Sequence, residues 1–143
     1  MPPLKETAIT GPELTESGGA LSSERSGGHV ALVVDDEPHY LEATSESLIA
    51  HPAFKEVAIA HSGEEALAMV VAVNPDIAVL DVVMPGMTGF QVAARLRELC
   101  PGLRVILISA VPEPEFEQAA MRVGALAFIP KKLFSAERVA SLL

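Results

Sequence analysis

The chain has a single cysteine among its 143 residues, which excludes an intrachain disulfide scaffold. That cysteine and four scattered histidines also lack the spacing of a zinc site. Positive charge is scarce: 10 Lys and Arg stand against 19 Asp and Glu, for a net charge of −9. A protein that binds nucleic acid electrostatically needs a basic face, so an acidic chain of this size is a poor candidate for that class. No apolar run approaches the roughly 18 residues of a membrane span. No basic segment followed by an apolar stretch marks a secretory signal near the N-terminus. What is present is hydrophobic side chain, at 50% of residues, enough to bury a core and to exclude global disorder. The expectation is a soluble, acidic, cytoplasmic protein with one folded domain.

Residues 1–28 differ in composition from the rest. They hold five of the ten glycines, three of the eleven prolines and seven Ser or Thr, with apolar residues scattered without a period. Such a stretch buries too little surface to offset its ordering entropy, so a flexible tail or linker is expected over 1–28 and a folded domain over 29–143. The domain alternates regularly. Val30 to Val34, Val57 to Ala60, Ile77 to Leu80, Arg104 to Ile108 and Leu126 to Ile129 read as five strands, their continuous apolar character being that of parallel strands buried on both faces. Helical spacing follows each. Pro38 suits a first helical turn, and Ser62/Glu65 and Thr88/Gln91 have the pattern of capping boxes. Ala66, Met69, Val70 and Val73 mark one helix, Val92, Leu96 and Leu99 the next, and Phe116, Ala119, Ala120 and Val123 a fourth. Gly124 fits the position after that helix, and Ser135 can cap a fifth containing Val139 and Leu142. This predicts an α/β, doubly wound (βα)5 three-layer sandwich around a five-stranded parallel sheet.

In such a sheet, chemistry gathers beyond the carboxyl ends of the strands. Strand one ends in Asp35-Asp36, strand three in Asp81 and strand four in Ser109, and Lys131 lies just beyond strand five. Any one of these could be an ordinary solvated residue at a wet edge. Together they form a constellation. Crowded carboxylates repel one another, and a hard divalent cation relieves the repulsion with oxygen ligands. Mg2+ suits a site with one or two carboxylates and a phosphate. Lys131 supplies a point charge for a phosphate oxygen, and Ser109 supplies a hydroxyl. An ionised aspartate in that setting can attack phosphorus and become an aspartyl phosphate. Asp81 is the expected nucleophile, ahead of a loop turned by Pro85 and Gly86; Asp35 and Asp36 are the expected metal ligands, one direct and one through water.

These residues resemble the receiver domain of bacterial two-component response regulators. The resemblance rests on Val-Val-Asp-Asp-Glu at 33–37, Leu-Asp-Val-Val-Met-Pro-Gly-Met-Thr-Gly at 80–89, Ile-Ser-Ala at 108–110 and Phe-Ile-Pro-Lys at 128–131. It covers about residues 30–142. It implies a flavodoxin-like fold with strand order 2-1-3-4-5 and phosphotransfer from a sensor histidine kinase, or a phosphotransfer protein, to Asp81. It implies that Asp36, Asp81 and the Val83 backbone carbonyl bind Mg2+, with Asp35 acting through water. Lys131 and Ser109 would contact the phosphoryl group, and Ser109 and Phe128 would act as switch residues. The surface of the fourth helix, fifth strand and fifth helix would then change for a downstream partner or an effector domain beyond this chain; receivers also form homodimers through this surface. Such a protein is a phosphoacceptor with self-catalysed transfer and autodephosphorylation only, not an enzyme acting on other molecules. No direct contact with nucleic acid or membrane is expected. Two departures from the family pattern stand out: Lys132 follows Lys131 where proline is frequent, leaving the isomer of that bond open, and the switch aromatic is Phe128 rather than tyrosine.

Three other readings compete for the same residues. A non-phosphorylated pseudo-receiver, acting as an interaction module, has no physical need of the charge cluster. A phosphatase of the haloacid-dehalogenase type needs a second aspartate two residues after the nucleophile, and Val83 stands there. A dinucleotide-binding domain needs a Gly-rich turn after strand one, where Asp35-Asp36-Glu37 stands instead.

Overall fold

The computed structural model describes residues 13–15, 18–22 and 27–143, with side chains from residue 19 onward. These form one sheet of seven strands: β1 (Glu13–Thr15), β2 (Gly18–Ser22), β3 (His29–Val34), β4 (Phe54–Ala60), β5 (Ile77–Asp81), β6 (Arg104–Ser109) and β7 (Ala127–Pro130). The helices are α1 (Pro38–Ala50), α2 (Gly63–Val73), α3 (Gly89–Leu99), α4 (Phe116–Arg122) and α5 (Ala136–Ser141), with a 3-10 turn at Lys131–Leu133. The sheet order is β1-β2-β4-β3-β5-β6-β7. Its five parallel strands, β4-β3-β5-β6-β7, have the expected order 2-1-3-4-5.

Successive strand residues point to opposite faces, and each face carries its own core. Leu32, Val34, Leu80 and Leu107 pack with Val70 of α2, Leu96 of α3 and Ala120 of α4. Ala31, Val33, Val79 and Ile108 pack with Leu41 and Leu48 of α1 and Val139 of α5. This division explains the unbroken apolar strands, since no face of the parallel sheet meets water.

The local signals mostly hold. Pro38 occupies the first turn of α1. Thr88 and Gln91 form a full capping box on α3, and the Ser135 hydroxyl accepts from Arg138 N. Gly86 and Gly124 both have positive φ, +80° and +75°, as their turns require. The Lys131–Lys132 bond is trans. Three details differ. Ser62 caps Glu65 N, but the Glu65 carboxylate accepts from His61 N instead of closing the box on Ser62. Leu99, the last residue of α3, is half exposed, and Ala93 joins Val92 and Leu96 in the core instead.

The third difference concerns the tail. Two segments of the expected linker add antiparallel strands to the edge of the sheet: β2 pairs with β4 and β1 pairs with β2. Leu21, in register with Val57, is buried at 2% exposure beside Leu41 and Phe54. Main-chain pairing to an open edge strand is independent of side-chain hydrophobicity, and it covers an edge that would otherwise be unpaired. The rest of the expected tail, residues 1–12, 16–17 and 23–26, lies outside the described residues.

Candidate functional site

The register of the parallel strands builds the site. Val34 pairs with Leu80, so Asp35, one residue on, stands beside Asp81. Asp81 pairs with Ile108, which sets Ser109 one step further, and Ser109 pairs with Pro130, which sets Lys131 just past the edge. Backbone bonds extend the ladder beyond the strand ends: Asp35 N donates to Ala60 O at 3.2 Å and Val82 N to Ile108 O at 2.8 Å. Residues up to 96 positions apart in the chain, from Asp35 to Lys131, are thereby brought to one pocket.

The acids lie together. One carboxylate oxygen from each of Asp35, Asp36 and Asp81 falls within 4.8 Å of the others. Asp35 and Asp81 are buried; Asp36 faces solvent. Lys131 Nζ sits 2.9 Å from Asp35 Oδ2 and 3.3 Å from Asp81 Oδ2. Asp35 Oδ1 accepts from Glu37 N at 3.0 Å, and Asp81 Oδ1 accepts from Val83 N at 3.2 Å. Asp35 Oδ2 meets the lysine charge but no aligned hydrogen-bond donor, and the buried Ser109 Oγ has no partner among the described residues. The Ser109 hydroxyl is therefore the unsatisfied group of the pocket, and a buried polar atom left so is costly unless a further group completes it. A cluster of carboxylate oxygen alone fits a hard divalent cation, and it offers no imidazole or thiolate to favour a softer one.

The electrostatics follow from this crowding. Burial, then the neighbouring Asp35 carboxylate, raise the Asp81 carboxyl from 3.8 to about 6, against the opposing pull of Lys131 and the Val83 N–H. Burial alone would lower the Lys131 ammonium, but Asp35 and Asp81 outweigh it and hold the lysine above its usual value. The Tyr40 phenol is raised, chiefly by burial.

The loop after Asp81 is pressed tightly against the site. Gly89 N donates to Val82 O at 2.9 Å. A methyl group on Gly89 would lie 2.4 Å from the Asp81 carbonyl oxygen, so any side chain there forces α3 or the Asp81 backbone to shift. Phe128 is half-buried against the α2–α4 core and meets Phe116 edge-on, with ring centroids 5.9 Å apart; Phe116 in turn meets Phe90 at 5.6 Å. Sequence reasoning missed the Phe90–Phe116 pair and Tyr40, and it held Gly89 only as the last residue of the 80–89 motif, without its packing role. A glycine at a helix start and aromatics at helical spacing have ordinary explanations, and only the tertiary contacts distinguish these.

A doubly wound α/β domain with an acidic, lysine-closed pocket at the carboxyl edge of its sheet has the build of a CheY-like signalling domain. A sequence profile described as the response regulator receiver domain matches residues 31–142, and the chain belongs to that family, the receivers of two-component systems. It is 38% identical over 112 residues to the probable transcriptional regulatory protein NarL of Mycobacterium tuberculosis, covering 78% of this chain and 52% of that protein. It is 37% identical over 107 residues to a protein-glutamate methylesterase/protein-glutamine glutaminase of Syntrophus aciditrophicus, covering 73% of this chain and 31% of that protein. The chemotaxis protein CheY of Listeria monocytogenes is 32% identical over 108 residues, with 76% of this chain and 90% of that protein covered. The chain therefore spans about half or less of the first two relatives and nearly all of the third. Among solved structures, the receiver domain of M. tuberculosis NarL superposes with a TM-score of 0.71 at 34% identity, covering 80% of this chain and 91% of that one. As a receiver, the chain belongs to a class that is generally non-enzymatic. Among the described residues no helix is long and apolar enough to cross a membrane.

Proposed function

We propose that this chain is a phosphoacceptor switch in which Asp81 takes a phosphoryl group from a histidine kinase or phosphotransfer protein. The observation that carries the reading is the Lys131 ammonium between the buried Asp35 and Asp81 carboxylates, at 2.9 and 3.3 Å, with Asp36 at the open side of the same cluster. In this reading an Asp81 oxygen forms a bond to phosphorus as the phosphorus–nitrogen bond of a donor phosphohistidine breaks, and the imidazole leaves with the electron pair. Asp36, Asp81 and the Val83 carbonyl would hold Mg2+, and Asp35 would act through water. The ion, when bound, supplies positive charge for the phosphoryl oxygens. Lys131 exchanges its hold on the Asp81 carboxylate for a phosphoryl oxygen, and Ser109 Oγ, which has no partner among the described residues, donates to another.

The readout follows from packing. Ser109 moving toward the phosphoryl group vacates space beside β7, and Phe128 turns inward, altering the surface of α4, β7 and α5. The phosphoryl group selects between two existing arrangements. That surface is the proposed contact for a downstream protein, an effector domain or a second copy. We assign residues 29–143 to the receiver unit, with β1 and β2 as an addition to its edge, and propose that it works in the cytoplasm. Incubation with acetyl phosphate and Mg2+, followed by peptide mass spectrometry, tests the reading. The expected result is one phosphoryl adduct on the peptide carrying Asp81, absent from Asp81→Asn. Absence of any adduct on the unsubstituted chain would leave an interaction module without phosphoacceptor chemistry.

A further inference from the structure

Lys131 is held by more than its two carboxylates. Its Nζ lies 4.1 Å from the centroid of the Tyr40 ring, and the Tyr40 hydroxyl donates to the Lys131 carbonyl oxygen at 3.3 Å. One half-buried side chain thus touches the lysine at its charged tip and at its backbone. Tyr40 sits in the first turn of α1, which is itself well fixed. The Glu37 carboxylate accepts from Tyr40 N at 2.6 Å, while Glu37 N donates to Asp35 Oδ1 at 3.0 Å. Pro38 stiffens the same turn. The turn that orients the Asp35 carboxylate therefore also orients the ring facing the lysine.

A lysine needs such support. Its ammonium rides on a flexible four-carbon stem with high rotamer entropy. A ring face attracts a cation through its quadrupole, and the attraction grows when the pair is partly removed from water. Unlike a third carboxylate, the ring adds no negative charge to compete with an incoming phosphoryl group. We propose that Tyr40 is a positioning residue, holding the Lys131 ammonium toward the Asp81 site through its ring face and fixing the lysine backbone through its hydroxyl. The proposal rests on the reading of Lys131 as a phosphoryl partner.

The test compares Tyr40→Leu and Tyr40→Phe in the full chain, each alone and combined with Lys131→Ala. Proton NMR of the Lys131 ε-methylene reports the ring directly: an upfield ring-current displacement is expected in the unsubstituted chain and in Tyr40→Phe, and its loss in Tyr40→Leu. Phosphorylation by acetyl phosphate at saturating Mg2+ reports the consequence. Tyr40→Leu should lower the rate at saturating donor about tenfold, and Tyr40→Phe, which keeps the ring, should recover most of that loss. Once Lys131 is alanine, Tyr40→Leu should cost nothing further, because its effect passes through the ammonium. An equal loss in both backgrounds overturns the proposal, since a general packing defect behaves that way. So does an unshifted ε-methylene, or a fully active Tyr40→Leu. If the unsubstituted chain takes no phosphoryl group, the phosphoacceptor reading fails instead, and the two failures are told apart by that control.

Discussion

Ionisation of Asp81 should destabilise the metal-free fold. The carboxyl is buried, faces Asp35 and titrates at about 6 instead of 3.8. At about 1.4 kcal/mol per pK unit, its charged form is about 3 kcal/mol less favourable in the fold than in the unfolded chain. Between the two pKa values the folded chain keeps a proton that the unfolded chain has released. Stability therefore falls as pH rises through that window and stays low above it. Asp81→Asn removes the titrating group and keeps its shape, so the variant lacks this penalty at every pH. Urea unfolding in EDTA, compared between the two proteins from about pH 4 to about pH 7.5, reads the effect of the Asp81 charge together with its coupling to Asp35 and Lys131, because carboxylates away from the pocket cancel in the difference. The two should be nearly equal at the acid end. Near neutral pH the variant should be the more stable by about 2–3 kcal/mol. Magnesium should narrow the gap, since a ligand stabilises the state that binds it and the variant has lost one of three acids from the cluster. An advantage of Asp81→Asn that does not vary with pH, or a more stable unsubstituted chain at neutral pH, would refute the account.

Much of the site can be read in the sequence because parallel strands impose it. Once Asp35, Asp81, Ser109 and Lys131 are recognised at the ends of apolar runs, the sheet order alone brings them to one edge, and the observed register does so. What stayed hidden has a common physical origin. Tyr40 acts across 91 residues through a ring face and a carbonyl, and neither leaves a pattern in a window of neighbours. Gly89 is needed because the Asp81 backbone passes within 2.4 Å of a would-be methyl, a constraint set wholly by another element. Strand β2 pairs through its main chain, and only Leu21 contributes a buried side chain, so hydrophobic periodicity had nothing to detect. Periodicity reports burial along one segment; close approach and main-chain pairing between segments are invisible to it.

Two further perturbations bear on these hidden contacts. Gly89→Ala should lower stability by about 1–3 kcal/mol, the usual range for overpacking, and should slow labelling of Asp81 by displacing its loop; urea unfolding and the acetyl phosphate assay measure the two effects, and an unchanged protein would contradict the close approach. Leu21→Ala tests the added edge strands, and its cost is bounded: a truncated Leu in a core costs about 2–5 kcal/mol, but strands at an edge can detach locally, so the loss cannot exceed what docking of β1 and β2 contributes. It should therefore cost less than Leu48→Ala, in the same buried cluster, and should speed amide exchange along β4 while β5 and β6 stay protected. Global unfolding accelerated equally in every strand would mean that β2 is integral to the fold, and no change in β4 exchange would mean that β2 does not cover the edge.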